Sequence, residues 1–110
     1  MKQVMKMKKI IIVEDDERLR EELKILLENN GYEARILRTF DHAADALIEM
    51  DADLVLLDIM IPGINGQQVL KQLRAKSDVP VIMVTSKNNE VDEVLSMSYG
   101  ADDYITKPYN

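Results

Sequence analysis

The sequence predicts an α/β domain, a doubly wound parallel sheet covered by helices on both faces. Three observations carry that prediction. Short apolar runs alternate along the whole chain with longer segments of helical period, the connections between them are only a few residues long, and there is no repeat or low-complexity tract. Strands that alternate with helices are joined by right-handed crossovers, which make neighbouring strands parallel.

Lys9–Val13 (KIIIV) is continuous and β-branched, the pattern of a strand buried on both faces. Asp16 is placed to cap a helix that runs to about Asn30, with Leu19, Leu23, Leu26 and Leu27 along one stripe. Gly31 then supplies a left-handed stop. Glu33–Leu37 reads as the second strand. Thr39 or Asp41 starts the second helix, which carries Ala43, Ala44, Leu47 and Ile48. Asp53–Leu57 is a third, fully buried strand. Ile61–Gly66 (IPGING) is a loop in which Pro62-Gly63 suits a type II turn. Gln67–Lys76 forms a helix with Val69, Leu70 and Leu73 inward. Pro80–Val84 is the fourth strand, and Glu90–Ser98 is a weaker helix through Val91, Val94 and Leu95. Gly100 ends it, and Tyr104-Ile105 marks a short fifth strand.

The chain of 110 residues fits one domain, since domains most often run to roughly 100–150 residues. Fourteen basic against twenty acidic residues leave a net charge of −6, a balance that argues against a nucleic-acid grip by this domain itself. It fits a protein that binds cations or a basic partner surface. Cysteine is absent, which removes disulfides and thiolate metal sites and agrees with a reducing, cytoplasmic setting. After the basic start MKQVMKMKK, the apolar run Ile10–Val13 is too short for a signal-peptide core. No stretch approaches the roughly 20 apolar residues of a membrane span.

Open sheets of this kind place function outside the carboxyl ends of the strands, beside the point where strand order reverses. The first strand ends in Glu14-Asp15-Asp16 and the third in Asp58. The fourth ends in Thr85-Ser86, and Lys107-Pro108 follow the fifth. In the order 2-1-3-4-5 the first and third strands are neighbours, about 4.8 Å apart. Two unit charges about 4 Å apart repel by roughly 4 kcal/mol at an effective dielectric near 20. Glu14, Asp15 and Asp58 together therefore call for a cation. Oxygen donors with room for water suit Mg²⁺, or Mn²⁺ in its place, whereas zinc would want cysteine or a well-placed histidine. Such an ion lets a carboxylate act as nucleophile toward phosphorus. Lys107 can pair a phosphoryl oxygen, and Thr85 can offer it a hydroxyl donor. Taken singly, these residues have plainer readings. Asp16 is a helix cap, His42 a solvent-facing residue at a helix start, and Lys107 or Thr85 alone an ordinary strand-end residue.

The stretches IIIVEDDERLR, DLVLLDIMIPGINGQQVLKQLR, VPVIMVTS and GADDYITKP resemble the receiver domains of two-component response regulators, those of the OmpR/PhoB type in particular. The resemblance runs from about Lys9 to Asn110. It implies a flavodoxin-like fold with Asp58 as phosphoacceptor. Asp15, Asp58 and the backbone carbonyl of Met60 would coordinate Mg²⁺, with Glu14 acting partly through water. It also implies a switch made of Thr85 and Tyr104 that reshapes the surface of the fourth helix and fifth strand, and a cis Lys107-Pro108 bond. The partner would be a sensor histidine kinase. Acids such as Asp102 and Asp103 would join salt bridges across a homodimer face. Domains of this class phosphorylate and dephosphorylate themselves weakly rather than act as enzymes. Transcription control through DNA would belong to an output domain outside this chain. A stand-alone receiver, or an interaction module independent of phosphorylation, is the alternative.

Two other classes fit less well. A haloacid-dehalogenase-like phosphatase wants a second aspartate two residues after the nucleophile, where this chain has Met60. A flavin binder of the same strand order wants a hydroxyl- and glycine-rich loop after the first strand, where this chain has EDDE. The resembling family begins a fifth helix near Asn110. The sequence is therefore expected to be a truncated piece with an exposed face near the fourth and fifth strands, prone to self-association. Lys87 stands at a variable edge of the pocket.

Overall fold

The computed structural model describes residues 7–86 and 90–107. Their elements run β1 (Lys9–Val13), α1 (Glu17–Asn29), β2 (Glu33–Ile36), α2 (Ala43–Met50), β3 (Leu54–Leu57), β4 (Met60–Ile61), β5 (Ile64–Asn65), α3 (Gly66–Arg74), β6 (Val81–Thr85), α4 (Glu90–Ser98) and β7 (Asp103–Thr106). Five of the strands make one parallel sheet in the order β2-β1-β3-β6-β7. Counted without the short β4–β5 ribbon, that is the expected 2-1-3-4-5. Lys87 and Pro108, and with Pro108 the bond expected to be cis, lie outside the described residues.

Side chains alternate across the sheet with period two, and each face finds its own cover. Ile11, Val13, Val55, Leu57, Val81 and Met83 pack with Leu47 of α2 and with Val69, Leu70 and Leu73 of α3. On the opposite face Ile12 and Ala34 meet Leu23 of α1, flanked by Leu19, Leu27, Ile36 and Leu56. Among the described residues, no helix is long and apolar enough to cross a membrane.

Local chemistry explains most boundaries. The Asp16 carboxylate accepts from the Leu19 N–H at 3.1 Å, so this acid is the cap of α1. Gly31 follows the helix at φ +90°, the left-handed conformation that ends it. Gly63 sits at φ +83°, as a type II turn requires, and the residues flanking the turn pair as β4 and β5. Pro80 falls outside β6 because it has no N–H to donate, although its carbonyl accepts from Val55.

Three expectations are corrected, and the short fifth strand is found where Tyr104-Ile105 mark it. Neither Thr39 nor Asp41 caps α2, which starts at Ala43 after His42 in a left-handed conformation (φ +55°) with no side-chain cap. Asp53 is not part of β3, because its carboxylate turns to accept the Lys9 backbone N–H at 2.7 Å. The third helix is shifted to Gly66–Arg74, since Asn65 accepts from the Gln67 N–H at 2.6 Å and so fixes its start. The last strand is four residues long, paired to β6 from Ile82↔Asp103 through Thr85↔Thr106.

Candidate functional site

Register brings the acids together. Val13 of β1 lies opposite Leu57 of β3, and the Asp58 N–H continues the ladder to the Val13 carbonyl at 3.0 Å. Glu14 and Asp58 therefore leave adjacent strands side by side. Both are almost fully buried, at 3% and 4% exposure, while Asp15 beside them is exposed. Carboxylate oxygens of Glu14, Asp15 and Asp58 all lie within 4.8 Å of one another.

The other side of the pocket comes from β6 and β7. Thr85 is fully buried at the tip of β6, and its carbonyl accepts from the Lys107 N–H at 2.7 Å. That bond aims the Lys107 side chain back across the strand ends. Its ammonium donates to Asp58 Oδ2 at 2.8 Å and also to Glu14 Oε1. Burial alone would lower the Lys107 pKa, but the bonds to Asp58 and Glu14 outweigh it and hold the group firmly cationic. Burial pushes the Glu14 carboxyl up; the bond from Lys107 and the Asp16 N–H restrain that shift, and the Asp58 charge adds to it.

Three carboxyl groups face one lysine ammonium, in a cluster whose possible metal ligands are all oxygens. Such a donor set suits Mg²⁺, and Mn²⁺ has the same preference for oxygen. Exposure of Asp15 leaves water a route to complete the coordination of a cation that dehydrates reluctantly. Next to it an open cleft of about 490 Å³ is lined by Asp15, Met60, Pro62 and Asn65, among others. The Met60 N–H donates to Asp58 Oδ1 at 3.1 Å, which steadies the carboxylate.

Glu14, Asp58 and Lys107 are thus in direct contact, and Asp15 closes the cluster. Tyr104 comes from β7. It pairs with Met83 in register, on the face that Thr85 also occupies, and packs half-buried against the core. Burial raises its phenol pKa, and the charges of Asp92, Glu93 and Asp58 add to that rise. Asp102 is engaged within the chain, accepting from the Val81 N–H at 2.8 Å and pairing Arg74 at 3.1 Å.

Sequence reasoning missed Gly66. A Cβ there would stand 1.9 Å from the Asp58 carbonyl oxygen, so only glycine lets α3 start against the end of β3. It also missed Gln67, a buried amide whose place three residues before Leu70, within the apolar stripe of α3, was the available signal.

A family model for the response regulator receiver domain matches residues 10–110. The chain is 48% identical over 104 residues to the sensory transduction proteins RegX3 of Mycobacterium tuberculosis and Mycolicibacterium smegmatis. The match takes in 94% of this chain and 46% of each relative, so the chain spans just under half of their length. Among solved structures, the BeF3-activated N-terminal receiver domain of Klebsiella pneumoniae RstA superposes with a TM-score of 0.88 at 32% identity, covering 94% of this chain and 88% of that one. The N-terminal domain of the nisin resistance regulator NsrR superposes at 0.84 with 34% identity, covering 96% and 89%. With the acidic cluster at the strand tips and a family match from end to end of the sheet, the chain belongs to the response regulator receiver domains of two-component systems.

Proposed function

We propose that residues 1–110 form one receiver unit in which Asp58 takes a phosphoryl group from a phosphohistidine on its kinase, or from a small donor such as acetyl phosphate. An Asp58 carboxylate oxygen forms the new bond to phosphorus as the bond to the donor breaks, and water later cleaves the acyl phosphate. Glu14, Asp15, Asp58 and the Met60 carbonyl would hold a divalent ion, which would supply the charge neutralisation that lets one anion approach another. Lys107, already on Asp58 Oδ2, is placed to pair a phosphoryl oxygen as charge builds there. Thr85 donates its hydroxyl to the phosphoryl group, and Tyr104 follows it inward. The surface of α4 and β7 changes shape as a result, a local charge event biasing a two-state element. The observation that carries this reading is the buried Glu14–Lys107–Asp58 bridge beside exposed Asp15.

Beyond the single domain, the surface supports self-association. Val91, Val94 and Met97 of α4 and Ile105 of β7 are exposed, a group of apolar side chains suited to a second copy. Transcription control through DNA would come from an output domain of a longer parent protein, in line with the OmpR/PhoB resemblance. Intact-mass measurement after acetyl phosphate and Mg²⁺ tests the core of the proposal. The wild type should gain the mass of one phosphoryl group, lost again on standing, and Asp58→Asn should gain none. Equal labelling of Asp58→Asn would refute the acceptor assignment.

A further inference from the structure

α4 is held in an unusual way. Among its described residues only Ser96 is buried, while Val91, Val94 and Met97 face solvent. Packing therefore anchors it weakly. A buried amide reaches it from the neighbouring helix: Gln67 Nε2 donates to the Asp92 carbonyl at 3.1 Å and to Ser96 Oγ at 3.2 Å. An amide group has two donor hydrogens, so both are committed to α4. Gln67 is 7% exposed and Ser96 fully buried, which makes these bonds costly to lose without replacement.

The amide is also tied to the phosphoacceptor. Gly66, the residue before it, presses against the Asp58 carbonyl so closely that no Cβ fits, and its N–H donates to the Ile59 carbonyl at 2.7 Å. The Gln67 N–H in turn donates to Asn65 Oδ1 at 2.6 Å, which fixes the first turn of α3. Any shift of the backbone at 58–59 must displace Gly66, and Gln67 moves with it.

We infer that Gln67 is a positioning residue that holds α4 in its resting place and transmits the state of the Asp58 loop to it. The inference rests on the reading of α4 and β7 as the switched surface. Contiguity alone would be a weak warrant for coupling. Here the coupled element is identified: a helix with one buried residue among those described, to which Gln67 gives two polar bonds that can break and re-form.

The test is NMR on the unphosphorylated chain and on the chain with beryllofluoride and Mg²⁺, for wild type, Gln67→Met and Ser96→Ala. Methionine keeps the length of glutamine and removes both donors. In unphosphorylated Gln67→Met, α4 amide resonances should lie part-way toward the wild-type beryllofluoride positions. Hydrogen exchange in α4 should quicken about tenfold, with β1 and β3 unchanged. Ser96→Ala should shift the same resonances less. Unmoved α4 resonances in Gln67→Met, or exchange quickening equally in β1 and β3, would overturn the inference and leave Gln67 an ordinary packing residue. If wild-type α4 itself ignores beryllofluoride while Asp58 still takes label, the underlying switch reading fails instead, and the inference with it.

Discussion

α3 and α4 are both nine-residue helices in the same α/β domain, yet they are fastened by different physics. α3 turns Val69, Leu70 and Leu73 into the core, each fully buried. Arg74 at its end adds bonds to the Gly100 carbonyl at 2.9 Å and the Val79 carbonyl at 2.6 Å. α4 buries one serine and leaves its valines in water. Apolar burial is non-directional and hard to undo in steps, whereas a few hydrogen bonds can be exchanged for others at small net cost. Apolar burial fastens α3, whereas polar contacts contribute most of what holds the buried part of α4.

The largest expected effect falls on α3. Leu73→Ala removes a fully buried side chain and should cost about 2–5 kcal/mol in denaturant unfolding. Its counterpart on α4, Val94→Ala, should change stability by no more than about 0.5 kcal/mol, because Val94 is 62% exposed. Similar losses for the two would erase the contrast. Next comes Gly66→Ala, whose methyl group would collide with backbone that cannot step aside. A cost of about 1–3 kcal/mol is expected, with slower labelling of Asp58 by acetyl phosphate as its carbonyl is pushed. An unchanged labelling rate at reduced stability would separate the fold of α3 from the chemistry of the site.

These contrasts also show what could be read from residues alone. The order of strands and helices was legible because hydrophobic period is a local property, and KIIIV or DLVLL can be little else in an alternating chain. The acids and Lys107 were legible because the parallel sheet brings its strand tips to one edge, whatever the loops do. The start of α2 was not, since His42 holds a left-handed conformation where Thr39 and Asp41 looked like better caps. Gly66 looked like a turn residue; its need to be glycine depends on where α3 lands against Asp58, a tertiary fact. Gln67 and Arg74 are polar residues of a helix whose ends find backbone carbonyls of elements remote in sequence, a pairing that only the tertiary fold decides.

Glu14, Asp15 and Asp58 gather three carboxyl groups around one lysine, an arrangement suited to a divalent cation. Thermal unfolding with and without Mg²⁺ measures this directly, on the wild type and on Asp15→Asn. Mg²⁺ at a hundredfold excess over its dissociation constant should stabilise the wild type by about 2.7 kcal/mol. At the same concentration it should stabilise Asp15→Asn much less. Equal stabilisation of the two proteins, or none of the wild type at any concentration, would contradict a metal site at Glu14, Asp15 and Asp58.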